Sequence, residues 1–164
     1  MPTRLQVIIP ISIAAFIIGI FGILTIPSDS KLETVNFPMG TIKIDDKVLQ
    51  VQIADTEPSR VRGLMFQEKL PYDQGMFFVF DNPGTYSMWM LNMQFSLDII
   101  WFDSDGNVIH IEENVPPCKS ALETVTCSGV NPGTDKALYV LEVTSGFVDK
   151  FGVTENSVLE IISI

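Results

Sequence analysis

Residues 97–114 read LDIIWFDSDGNVIHIEEN, and their arrangement decides the fold class. Two apolar runs flank Asp103-Ser104-Asp105-Gly106. Asp and Ser side chains bond back to nearby amides and Gly accepts positive φ, so these four residues suit a tight turn. Val, Ile, Trp and Phe on either side favour extended backbone. Residues 97–102 and 107–114 therefore predict a β-hairpin. In its second arm Val108, His110 and Glu112 share a face. The first arm is apolar on both faces except at Asp98, which predicts burial from both sides.

The two-residue alternation continues outward in both directions. Residues 41–44 and 48–54 predict strands around Asp45-Asp46-Lys47, and residues 75–80 and 85–91 predict strands joined across Asp81-Asn82-Pro83-Gly84. Residues 137–143 and 157–162 predict two more. A short helix is expected at residues 56–65, with Thr56 as cap, Pro58 in the first turn and Gly63 at the end. A second is expected at residues 145–151, capped by Thr144 or Ser145, and residues 115–136 read as a long loop. About eight strands with two short helices predict a mostly β fold, a compact β-barrel or sandwich.

The chain has 164 residues and is 46% hydrophobic but only 18% charged. That excess is concentrated: residues 5–26 hold no charge at all. As a helix they would rise about 33 Å, enough for a hydrocarbon core of roughly 30 Å. A cleaved signal would have a shorter apolar run and small residues at its end, where only Ser28-Asp29-Ser30 qualifies. A retained single-pass anchor is expected, or an uncleaved signal. Arg4 before it and Asp29 and Glu33 after it put the following domain outside the cell membrane. The expected organisation is an anchor at residues 1–27, a linker and entry at 28–40, and an outer β-rich domain at 41–164.

Beyond residue 27 the chain carries all 20 acids and nine of its ten bases, a net charge of −11. Nucleic-acid binding rests on neutralising phosphates, so no nucleic-acid partner is expected. The single His110 excludes catalytic histidine pairs, and two cysteines exclude a four-cysteine zinc or iron–sulfur site within one chain. No cofactor is implied. Cys118 and Cys127, eight residues apart in a loop, are expected to pair as a structural disulfide outside the cytoplasm.

Several motifs in fixed order resemble one family. They are Arg62-Gly63-Leu64-Met65, Gly75-Met76 with Phe78 and Phe80, Trp89-Met90, Asn92, Leu97-Asp98-Ile99, Asp105-Gly106 and Pro116-Pro117-Cys118. The chain resembles the uncharacterised family "domain of unknown function 192" from about residue 41 to 162. The resemblance implies a small β-rich domain, often exported or membrane-tethered, with no established reaction. One stretch departs from the family pattern: Leu91 and Met93 in Met88-Trp89-Met90-Leu91-Asn92-Met93 stand where a Lys and a Thr are expected. A ligand role that needs that Lys is thereby put in doubt.

Arg62, Asn92 and Asp98 are polar residues in apolar surroundings and form the candidate buried cluster. A buried carboxylate is costly unless paired, and a guanidinium fork suits it. The cluster is either a structural pair pinning the first helix or a ligand site in which Arg62 meets an anionic group. It contains no nucleophile, so a non-enzymatic binding or interaction module is the leading reading. One alternative is a Cu(I)-binding protein using Met88 and Met90, since thioethers are soft ligands, although methionine is also an ordinary core filler. Another is a cell-envelope hydrolase using Asp98 with Glu112 or Glu113 as a carboxylate pair.

Overall fold

Asp103 builds the central hairpin as its composition predicts: its Oδ1 accepts from the backbone N of Asp105 and of Asn107, both at 2.9 Å. Gly106 closes the turn at φ +83°, and a Cβ there would sit 2.5 Å from the Leu159 carbonyl oxygen. The structure, a computed structural model, describes residues 15–16, 35–118 and 129–164. Residues 35–164 form one compact unit. The expected membrane span at residues 5–26 lies outside the described residues except for 15–16. Among the described residues no helix is long and apolar enough to cross a membrane.

Seven strands form the sheet: β1 (Met39–Ile44), β2 (Lys47–Ala54), β3 (Gln74–Gly84), β4 (Leu97–Phe102), β5 (Val108–Val115), β6 (Ala137–Thr144) and β7 (Leu159–Ser163). Two short helices accompany them, α1 (Glu57–Arg62) and α2 (Phe147–Phe151). The strand order is β5-β4-β6-β3-β2-β1-β7. All pairs are antiparallel except β2 with β3, which run parallel. A parallel pair needs a crossover rather than a tight turn, and α1 lies in that connection. Thr56 caps α1 and forms a reciprocal box with Ser59, while the Gly63 N–H returns to the Ser59 carbonyl. α2 departs from expectation. Its cap is Gly146 at φ 86°, with no side-chain cap bond from a neighbour in sequence.

The expected barrel or sandwich is corrected to a single, unclosed sheet. Its outer strands β5 and β7 do not pair, although the Asn107–Val158 bridge joins the chain just before each of them. The reason lies in β4, whose six residues are all buried. Ile100 and Phe102 enter one core with Phe77, Leu141 and Phe147. Leu97, Ile99 and Trp101 enter a second core on the opposite face, with Met76, Phe78 and Val140. A sheet apolar on both sides is satisfied by cover on each face and has no need to close. The expected eighth strand supplies part of that cover. Among the described residues, 85–91 join no strand of the sheet and pair only through the isolated bridges Met88–Val130 and Leu91–Cys118. Asp81-Asn82-Pro83-Gly84 is correspondingly the end of β3 and not a hairpin turn, with a register shift before Gly84 meets Ala137.

Candidate functional site

Asp98 lies on the first face of β4, in line with Ile100 and Phe102, and has no exposed surface. Its Oδ1 accepts from Asn114 N at 2.9 Å and its Oδ2 from Val148 N at 3.0 Å. It thus does for α2 what Gly146 has no side chain to do, occupying a helix N–H that would otherwise be unsatisfied. Among the described residues no ion pair joins Asp98 to Arg62. The two belong to opposite sides of the sheet.

Arg62 and Asn92 do come together, through Phe66. The Arg62 guanidinium sits 5.0 Å from the Phe66 ring centroid, and Phe66 N donates to the Asn92 carbonyl at 3.1 Å. Asn92 adopts φ 57° and its own N–H donates to the Cys118 carbonyl. Its recorded bonds are thus backbone bonds, which hold the loop after residue 91 against the segment carrying Cys118. Cys118 is buried and not a free thiol. Cys127 lies outside the described residues.

The carboxylate pair required for a hydrolase has no accessible partner in Asp98, because both its oxygens are spent on backbone amides and none of its surface is exposed. Glu113 is exposed, and its carboxyl is raised above the usual range by desolvation and by the negative Asp149 and Asp98. Glu112 is engaged with His110, Nε2 to Oε2 at 3.3 Å.

Five methionines, Met65, Met76, Met88, Met90 and Met93, gather on the second face, and all but the half-buried Met65 are buried. Among them lies Glu142, which the reading of the sequence missed. It occupies β6, an interior strand between β4 and β3, with Met76 and Ile99 as its neighbours in register on either side. It is 3% exposed, and burial pushes its carboxyl up to about 8. Among the described residues its side chain makes no hydrogen bond or ion pair. No fully enclosed side-chain oxygen or nitrogen there lacks a partner. The Glu142 carboxyl therefore keeps a sliver of accessible surface, and it opens on a pocket of about 10 Å³ walled also by Arg62, Met65, Met88, Trp89 and Met93. The signal was present: a lone acid in ALYVLEVT interrupts an apolar strand as Asp98 does in SLDIIWF.

Outside this pocket, sharing Arg60, Phe78, Met88 and Trp89 with it, runs an open groove of about 410 Å³. Phe80 and Tyr86 stack at 3.5 Å between centroids in its wall, and Trp89, 52% exposed, stands beside them. Arg60 packs over Phe80 and is fixed by donating to the Asp55 and Val79 carbonyls at 2.7 and 2.8 Å. Glu57 and Asp81 each approach it at 3.9 Å. The groove is thus aromatic on its walls and charged along its rim. Its size is that of a small-molecule site.

The family model DUF192, described as "Uncharacterized ACR", matches residues 40–161. Two solved structures share the fold. One is a Sinorhizobium meliloti protein described as a candidate transcription regulator, 27% identical, with a TM-score of 0.68 over 77% of this chain and 96% of that one. The other is a Novosphingobium aromaticivorans protein of unknown function, 23% identical, with a TM-score of 0.69 over 78% of this chain and 89% of that one. No curated protein matches the chain.

Proposed function

Because this chain belongs to the DUF192 family, whose description attaches no reaction to it, we propose that it is a non-enzymatic binding module. Its ligand is a small organic molecule with a flat apolar face and a polar edge. The observation that carries this reading is the groove, where the exposed Trp89 and the Phe80–Tyr86 stack offer flat faces and Arg60, Glu57 and Asp81 border them. A catalytic role has less support. Among the described residues, Glu142 is the carboxyl with the strongly shifted pKa, and it has no nucleophile or second acid beside it in its pocket. The domain's acidity argues against extending the Sinorhizobium protein's description to this chain, since like charge repels a phosphate backbone.

The module is held at the outer face of the cell membrane by residues 5–26, as a single-pass anchor. Cys118 and Cys127 form a disulfide that fastens the loop beside Asn92. In this arrangement the groove is presented to small molecules outside the cell.

Fluorescence tests the groove directly. Trp101 is fully buried, with its indole N–H donating to the Tyr86 carbonyl at 2.8 Å, so Trp89 is the indole that solutes reach. Titration with panels of monosaccharides, nucleosides and aromatic carboxylates should find a class that quenches the wild type and leaves Trp89→Phe unaffected. If every panel leaves the emission and the melting temperature unchanged at millimolar concentration, the binding reading is wrong.

A further inference from the structure

We propose that the inner pocket, lined by Met65, Met88, Met93 and Glu142, is a site for a soft monovalent cation of the Cu(I) class. Three observations meet there. Three methionines are brought to one small pocket, Met65 from the turn after α1 and Met88 and Met93 from the segment between β3 and β4. Thioether sulfur is a soft donor that favours Cu(I) and has little affinity for hard cations. Glu142 is 97% buried, its side chain bonds to no described residue, and it lines this pocket. Burial holds a carboxyl without a partner in its protonated form, and a bound monocation would take that proton's place and pair with the carboxylate. The volume is about 10 Å³. That is room for about one water-sized sphere and excludes an organic ligand.

The composition of the wall narrows the choice of ion. Among the described residues no three His, Cys, Asp or Glu side chains converge as a metal site, so zinc and calcium lack their usual donors. An anion would meet a carboxyl that any loss of its proton turns negative. The two guanidinium groups in the wall are engaged outside it, Arg60 with two carbonyls, Glu57 and Asp81, and Arg62 over the Phe66 ring. The geometry also selects among the methionines. Met88 lines the pocket and Met90 does not, although both are buried in the same core. The Met88/Met90 pair named from the sequence is therefore replaced by Met88 and Met93 with Met65.

The inference is independent of the groove reading, because a water-sized ion site can exist whether or not an organic molecule binds outside it. The test uses Ag(I) as a redox-inert stand-in for Cu(I), titrated as the nitrate into the full, unreduced chain in chloride-free buffer by calorimetry. About one equivalent should bind with submicromolar affinity. Met88→Leu and Met93→Leu, near volume-conserving changes, should each weaken it about tenfold or more, a loss of about 1.4 kcal/mol. Glu142→Gln should weaken it likewise, and Met90→Leu should leave it unchanged. Circular dichroism confirms that each variant is folded, and the two leucine variants decide the matter if Glu142→Gln is not. Absence of tight binding overturns the proposal. So does binding indifferent to Met88→Leu and Met93→Leu, or binding abolished by alkylating reduced Cys118 and Cys127 while these methionines are intact.

Discussion

At the residue scale, two acids sit inside this domain and behave in opposite ways. Asp98 accepts two backbone amides and serves the fold. Removing it leaves the buried Val148 N–H unsatisfied, at a cost of about 1–3 kcal/mol, takes the acceptor from the part-buried Asn114 N–H, and opens a void in a fully buried site. Asp98→Ala should therefore lower unfolding free energy by about 3 kcal/mol or more in a urea titration. Arg62→Ala should cost less than about 1 kcal/mol, and the double variant should be additive, because the two side chains share no partner. Coupling above about 1 kcal/mol would restore the pair expected from sequence. Asp98 could be found in the sequence because it interrupts an apolar strand. Its partners could not, since they are main-chain amides donated from β5 and α2, and no residue type announces an amide. Glu142 was missed for a different reason. Its strand contains polar Tyr139 and Thr144 as well, which made one more polar residue look ordinary.

At the scale of elements, local chemistry decides some features and long-range pairing decides others. The Thr56–Ser59 box holds α1 through bonds within one turn of chain. Thr56→Ala should cost about 1 kcal/mol by denaturant unfolding, as loss of a cap usually does. Gly106→Ala should cost more than about 1 kcal/mol, because φ is positive and the new Cβ would press on the Leu159 carbonyl. A smaller loss would mean that the hairpin tip does not contact β7 as described. The β4–β5 hairpin and α1 were legible for the same reason: turn residues and caps act on their immediate neighbours. The parallel β2–β3 pair was not, since a crossover and a hairpin can share one alternation pattern. Nor was the fate of residues 85–91. Their apolar alternation suits a sheet strand and a strip laid over a sheet equally well, and only the second leaves Met88 facing Glu142's pocket.

At the scale of the whole molecule, one sheet has two faces with different duties. The first face is closed by α2 and Asp98, and the second is covered by methionines and carries the groove. The proposed anchor predicts that the full chain sediments with membranes and is released by detergent but not by alkaline carbonate. Release by carbonate would remove the single-pass reading. The proposed disulfide predicts that denatured, unreduced protein gives no thiol labelling, and two reactive thiols would remove it. The cation site proposed at the second face depends on the Glu142 carboxyl being almost enclosed and without a partner, and stability against pH tests that most directly. A carboxyl raised from 4.5 to about 8 in the folded state is protonated there while the unfolded chain ionises. Its contribution to stability is therefore complete below pH 4.5 and lost as pH rises toward 8. Urea unfolding of the wild type and Glu142→Gln between those limits should show the variant gaining several kcal/mol relative to the wild type as pH rises, then no more above about 8. A difference that stays flat across this range would contradict the account, because Glu142 would then be solvated or paired.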